Sequence, residues 1–411
     1  MTFVTGSAYR ELIEAIGANF IPLEGYSDLT EGDLDRMQPL RDAIPAGPLQ
    51  IAYDLETIFV NTIPGQHAAQ QKALKSLTEQ HPGRPIVLVY EGFFLGSGPG
   101  LLGAPGIRPA GTIGIGIVPM VLQSIDTAPF GPGLPPDSSA EGRARNIAMN
   151  KQLQEVLAKP QAAYEQIFQE LGATQPTPYI FNAIYQLPDR FLQMCIPSVE
   201  YPRSDLPPKV HFVGGLPQGL RDPFTDTPSW WPEVTSNSTK KIVAVSQGTA
   251  AINLNDLVIP TMNGLKDRSD VLVVVALGRK GSALPEGTVI PENARVTDFI
   301  PFDDLLPHCE VFITNGGYGA FQHAISNGTP LVIGGATEDK PEVAQRAAWA
   351  GIGVNLKTGS PSPEQVKEAV EEIFANEKYR TRSRELEKEM KKYNPMDVVA
   401  SSIEDMAAAA N

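Results

Sequence analysis

Positive charge is scarce in this chain: 33 Lys and Arg stand against 47 Asp and Glu, a formal charge of −14. Phosphate polymers are held by clustered cations that release counterions, so nucleic acid and anionic membrane surfaces are disfavoured as partners. Cysteine is nearly absent. Cys195 and Cys309 lie far apart in apolar contexts, where buried free thiols are the simpler reading and a disulfide the sharper one. Neither has a His or Cys neighbour at the spacing of a zinc site, and there are only five histidines in all. No run approaches the ~18 apolar residues of a spanning helix, and no leader pattern precedes Met1. The cytoplasm is therefore the expected location, with any signal upstream of Met1 left open. Sequons at Asn237 and Asn327 are frequent enough by chance to carry no argument for secretion.

The 411 residues suffice for about two domains. With 42% hydrophobic and 19% charged residues the chain reads as globular rather than disordered. Apolar runs of strand length alternate with amphipathic helical segments, the pattern of α/β sheets with parallel strands. The first half offers "PIVLVYEGFF", "GTIGIGIVP", "RFLQMCIP" and "KVHFVGG"; the second offers "KIVAVS", "VLVVVAL", "ARVTDF", "EVFIT", "PLVIGG" and "GVNL". Six short strands in one segment predict a doubly wound, Rossmann-like domain. Between them, 202–240 is rich in proline and polar residues and reads as a linker. The expected division is 1–201, linker 202–240, 241–385, and a helical tail 386–411. Ser362, Pro363 and Gln365 predict a capped helix start, with Val366, Ala369, Val370, Ile373 and Phe374 on one face.

The stretch "EVFITNGGYGAFQHAISNGTPLVIGG" carries the most chemistry. A buried strand, Val311 to Thr314, runs into Asn315-Gly316-Gly317, and a helix follows from about Gly319 to Asn327-Gly328. Glycines let a ligand approach the peptide N–H groups, and the helix end behind them carries partial positive charge. That suits a phosphate. Equally, glycine pairs end buried strands for geometric reasons alone. Three other stretches imitate sites. "DLD" at Asp33 to Asp35 resembles a metal-binding Asp-x-Asp but sits in a polar, acidic segment taken as a solvated loop. "GSGPGLLG" and "GIGIVP" lack the helix and downstream acid of a dinucleotide loop.

From Ile242 to about Tyr393, "VAVSQGT", "DFIPFDDLLPH", "FITNGGYGAFQHAISNGTPLV" and "TEDKPEVAQRAAWAGIGVNL" resemble, in order and spacing, the nucleotide-sugar glycosyltransferases of the GT-B fold. "LVYEGFF", "DTAPFGPGLPP" and "EYPRSDLPPKVHFVG" extend the likeness over nearly the whole chain. The chain is similar to the macrolide and natural-product branch of the UDP-glycosyltransferase superfamily. The resemblance implies two Rossmann-like domains facing a cleft, with a C-terminal helix crossing back to the first. It implies a donor site in the second domain. Phe299 would stack on the nucleobase beside Ile300, and Asn315, Gly316, Gly317, Tyr318 and Gly319 would meet the diphosphate. Ser246, Gly248 and Thr249 would approach the phosphates from the cleft. His323 stands at a ribose-binding position, and Asp339 and Lys340 stand where the sugar hydroxyls are held.

In such relatives the opening segment "MTFVTGSAYRELIEAIG" corresponds to a second β-α unit. The first unit, with a catalytic His, is expected to lie outside this chain, and transfer by these 411 residues is expected to be inefficient. Glu91 matches the acid that orients that His and stabilises its charged form. His67 is the only other candidate base, and His308 is expected to cap or pack a short helix. The implied reaction is inverting transfer from a nucleotide diphosphate sugar, with UDP expected, to a hydroxyl of a small hydrophobic acceptor. Neither metal nor cofactor is implied. The acceptor cleft is expected from the glycine-rich 93–111 stretch and "DTAPFGPGLPP". A non-catalytic nucleotide-sugar-binding homologue and a GT-B epimerase or hydrolase remain as alternatives.

Overall fold

The computed structural model describes residues 1–215, 227–236, 239–248 and 253–410. Its second half is one parallel sheet built from β7 (Lys241–Ser246), β8 (Val271–Ala276), β9 (Ala294–Thr297), β10 (Val311–Thr314), β11 (Leu331–Ile333) and β12 (Gly353–Asn355). The order across it is β12-β11-β10-β7-β8-β9, with Val311 opposite Val243 and Ile313 opposite Val245. β8 and β10 are buried at every residue and β7 at all but its first. Runs such as "VLVVVA" are what a parallel strand covered on both faces requires. Val243, Val245, Val273 and Ile313 pack against helices Val258–Leu265 and Pro363–Ala375. On the other face, Ala244, Leu272 and Phe312 pack against helices Tyr318–Ser326 and Lys340–Trp349. Ser362 and Gln365 form the capping box that the sequence predicts.

The first half holds two separate parallel sheets. β1 (Thr2–Thr5) pairs with β2 (Asn19–Pro22), Phe3 lying opposite Phe20. β3 (Val87–Glu91), β4 (Gly111–Gly116), β5 (Arg190–Gln193) and β6 (Val210–Phe212) form the other sheet in that order. β6 falls inside the segment read as a linker from 202, and its pairing with β5 makes it part of the first sheet instead. Among the described residues, β1 and β3 each keep one side without a strand partner. Below this sheet lies an aromatic core that includes Tyr164, Phe168, Phe181, Tyr185 and Phe191.

After helix Glu377–Met390 the chain returns to the first half. Helix Pro395–Ala409 lays Val398, Val399, Ile403 and Met406 on Ile113, Leu192 and Val213. It fits closely: a Cβ at Gly111 would meet Met406 Sδ at 2.6 Å, and Arg190 Nη1 donates to Ser402 Oγ at 2.6 Å. Cys195 and Cys309 are buried free thiols. Among the described residues no helix is long and apolar enough to cross a membrane.

Candidate functional site

In a doubly wound sheet the crevice opens where strand order reverses, beyond the carboxyl ends of the strands. Here that point lies between β7 and β10, because β8 and β9 extend one way from β7 and β10 to β12 the other. Asn315 closes the crevice floor by donating from Nδ2 to Gln247 O at 2.6 Å. Gly316 takes φ +91°, and a Cβ there would press on Ile333 Cγ2 at 2.7 Å, so the turn requires glycine. Gly317 caps helix Tyr318–Ser326 without a side-chain bond, and a Cβ at Gly317 or Gly319 would meet nothing within 4 Å. The helix start has orphan N–H groups, and the space beside its two glycines is open. An anion there gains roughly 0.3–1 kcal/mol, up to ~2 when partly buried, so further contacts are needed to hold a diphosphate. Phe299, just beyond β9, is 40% exposed at the same edge of the sheet, with Lys280 Nζ 6.0 Å over its ring.

Asp339 and Lys340 start the helix that follows β11. Asp339 makes no side-chain capping bond, and burial pushes its carboxyl up to about 6. Burial, aided by the nearby Arg41 charge, pushes the Lys340 ammonium down to about 8. Lys340 Nζ donates to Thr337 Oγ1 at 3.1 Å and to the Glu338 carboxylate. Glu338 holds the left-handed φ of +52°, and its Oε1 lies 3.6 Å from Arg41 Nη1 of the first half. Arg41 is itself gripped by Asp54, at 2.8 and 3.0 Å from Nε and 3.0 Å from Nη2.

Facing Asp339 is a mainly apolar cavity of about 500 Å³. Leu55, Ile58 and Phe59 come from a π-helical turn, Leu55–Val60, that continues helix Pro48–Asp54. These three residues of the turn all line the cavity. Phe93, Phe130 and Phe181 supply other walls; Phe59 and Phe93 lie 4.9 Å apart between ring centroids. Glu91 ends β3 at the cavity. Its Oε2 accepts from Phe93 N at 2.9 Å, yet burial outweighs that bond and pushes its carboxyl up to about 7. A carboxylate poised there can take up a proton or steady a neighbouring positive charge.

A relative called UDP-glucosyltransferase A1, from Starmerella bombicola, is 42% identical over 99% of this chain and 86% of its own length. The chain belongs to the UDP-glycosyltransferase family. UDP-glycosyltransferase 2 from Phaeomoniella chlamydospora is 41% identical over the whole chain and 90% of its own length. Residues 263–406 match the family described as erythromycin biosynthesis protein CIII-like, C-terminal domain. The solved glycotransferase of kitacinnamycin shares the fold at a TM-score of 0.70 and 17% identity, over 98% of this chain and 90% of its own. The protein is a glycosyltransferase of the GT-B fold, in the natural-product branch.

Several residues expected to bind a donor do not present side chains to the crevice. Tyr318 and Ile300 are buried, 5% and 2% exposed, in the core on the helix side of the sheet, leaving only their backbone to a ligand. Ser246 is buried and its Oγ accepts from Gly248 N at 3.3 Å. His323 lies 3.0 Å from Asp303 Oδ1, which holds its Nδ1 edge. Thr249, like Asn237, lies outside the described residues. His67 is removed from the cavity: its ring is buried against Gly96 O at 3.1 Å, and burial lowers its proton affinity. His308 packs against Trp231, as expected of a structural histidine. Among the described residues no histidine lines the cavity.

The acceptor cleft expected from 93–111 is also corrected. Phe93 and Phe130 do line the cavity, but the glycine-rich part packs inward against the helix Ile63–Gln80 and its neighbours. A Cβ at Gly96 would meet Gln66 Cβ at 2.3 Å, and one at Gly98 would meet Phe168 Cζ at 2.5 Å. "DLD" is the first turn of helix Glu31–Asp42 rather than a loop, with Asp33 completing a capping box on Thr30. Arg41, Asp54 and Glu338 escape sequence reasoning because their pairing joins segments far apart in the chain. "TEDK" offered a local hint for Glu338 alone.

Proposed function

We propose that the chain is an inverting transferase that moves a sugar from UDP to a hydroxyl of a small apolar acceptor. One observation carries the reading: a single apolar cavity has Glu91 of the first half and Asp339 of the second on its walls, and Lys340, next to Asp339, packs against the Gly316 turn, where a Cβ would lie 3.4 Å from Lys340 O. Burying about 200 Å² of acceptor contributes roughly 5 kcal/mol, enough to offset much of the cost of association. Apolar contact thus supplies affinity, and the few polar groups supply orientation. Phe299 offers its ring to the uracil, and the helix-end N–H groups with Lys340 meet the diphosphate. Asp339 accepts hydrogen bonds from sugar hydroxyls.

The acceptor oxygen attacks the anomeric carbon from the face opposite the diphosphate, which leaves with the bonding pair and so inverts the centre. Glu91, ionised above about 7, stands at the acceptor end to take up the proton or to steady the group that does. Charge developing on the leaving diphosphate meets preorganised donors that need no rearrangement. The test is incubation of the protein with radiolabelled UDP-glucose and a panel of apolar phenols and alcohols, with the anomeric configuration of any glycoside read by NMR. A glycoside of inverted configuration is expected, at a low rate because no described histidine lines the cavity to share the proton with Glu91. Donor consumption to free sugar with every acceptor, or UDP binding without turnover, would overturn the reading.

A further inference from the structure

The helix that begins with Asp339 and Lys340 is bolted to the first half of the molecule two turns further on. Arg346 and Glu200, 1% and 0% exposed, form a two-pronged pair at 2.7 and 3.0 Å. Arg346 Nη1 donates to Glu342 Oε2 at 2.8 Å, and its guanidinium lies 4.2 Å over the Tyr201 ring. Arg203 completes the group at 3.1 Å from Glu200, so two buried cations balance two buried anions. The other oxygen of Glu342 crosses to the first half. Glu342 Oε1 accepts from Gly131 N and Gly133 N, each at 2.9 Å. Gly133 holds φ +59°, and a Cβ there would meet Pro341 O at 2.5 Å, so the loop lies directly on the helix start.

Phe130, next to Gly131, forms a wall of the apolar cavity, and Asp339 precedes Glu342 by less than one helical turn. We propose that Glu342 is a positioning residue that sets the acceptor wall at Phe130 in register with Asp339 at the sugar, so that the two substrates are aligned by one carboxylate spanning both halves. This rests on the assignment of the cavity to the acceptor and of Asp339 to the sugar. A loop held by two charge-assisted bonds moves with the helix that holds it. Occupation of either side therefore biases the other, which is a coupling free energy between two sites. Arg346 fixes the Glu342 rotamer from below, and Glu200 fixes Arg346.

The test is titration of 4-methylumbelliferone, an apolar phenol, with and without saturating UDP-2-deoxy-2-fluoroglucose, a nucleotide sugar that resists transfer, in the wild-type protein and in Glu342→Ala and Glu342→Gln. In the wild type the nucleotide sugar is expected to tighten the phenol about tenfold, within the usual range of site coupling. In Glu342→Ala the coupling should fall below about twofold, with UDP affinity in the absence of phenol unchanged. Glu342→Gln keeps an oxygen for the two glycine N–H groups and should retain part of it. Gly133→Ala disturbs the same contact without removing a charge and should also uncouple the sites. Wild-type coupling that is absent, or that persists in both Glu342→Ala and Gly133→Ala, overturns the proposal. So does a parallel loss of UDP affinity, phenol affinity and thermal stability in Glu342→Ala, which marks a merely structural residue. A protein that couples the two ligands yet forms no glycoside would instead overturn the assignment of transfer.

Discussion

The two halves of this transferase meet the same need, a parallel sheet facing a ligand, with different economy of structure. The second half is one six-stranded sheet with β8 and β10 sealed on both faces; the first half is split into a pair and a foursome. In the first half β1 is only partly buried along its length, and Val89 in the middle of β3 is 38% exposed. The cavity is walled by helices and loops rather than by strand ends alone. A site that binds an invariant diphosphate gains from rigid backbone, whereas a cavity for an apolar body needs only shape and a few polar groups. Under the proposed function, chemistry falls to the looser half and recognition of the donor to the tighter one.

Glu91→Gln sharpens that division most strongly. With the carboxylate gone, turnover should fall by ~10²–10⁴-fold, the usual weight of an acid–base group. UDP affinity should stay within about twofold, because Glu91 sits in the acceptor half and the loss concerns the transition state. Single-turnover rates beside UDP titration make the comparison. A matching loss in both would place Glu91 in ground-state donor binding.

The next effect is on stability and compares the sheets directly. Ile313 at the centre of β10 is fully buried, so Ile313→Ala should cost ~2–5 kcal/mol in urea denaturation. Val89→Ala, on the partly exposed β3, should cost less than about 1 kcal/mol. Equal costs would mean that the first-half sheet is as tightly closed as the second.

What was readable in the chain follows the same divide. β7 to β12, the Asn315 turn and the Ser362 cap were legible because buried parallel strands, glycine turns and capping boxes leave short, local signatures. Helix Glu31–Asp42, by contrast, is polar around most of its surface and carries Pro39, so no apolar stripe announced a cavity wall. The π turn at Leu55–Val60 is backbone geometry that residue types do not encode. Tyr318 and Ile300 lie beside functional positions in sequence, yet the strand and helix faces turn their side chains into the core. Glu200 and Arg346 are 146 residues apart, and nothing local pairs them.

Asn315→Asp probes the donor half at its narrowest point. The substitution removes the Nδ2 donor to Gln247 O and sets a carboxylate beside the helix-end N–H groups that await a diphosphate. Losing a partly buried bond and adding repulsion should cost ~1–3 kcal/mol, roughly 5- to 150-fold in UDP affinity by isothermal titration. Unchanged UDP binding would remove the diphosphate from this turn.

The smallest expected effect is on the pH profile, where each half contributes one limb. Glu91, pushed up to about 7, must be ionised to act, so kcat/KM should rise as pH passes through about 7. Lys340, pushed down to about 8, holds its ammonium below that pH and loses it above, so an alkaline limb should follow at about 8 if that charge faces the diphosphate. Two limbs this close leave a narrow optimum in which neither group is wholly in its working form. Lys340→Gln keeps a hydrogen-bond donor without the titrating charge. It should lower the peak by less than about tenfold and flatten the alkaline limb while leaving the acid limb in place, since a charge-assisted hydrogen bond is worth about twice a neutral one. The limb pH values of the free enzyme are read from kcat/KM measured in closely spaced buffers of constant ionic strength. An alkaline limb that survives Lys340→Gln would assign it to another group and leave Lys340 as a partner of Glu338 alone. An acid limb that moves with that substitution would show the two halves titrating as one coupled unit across the cavity.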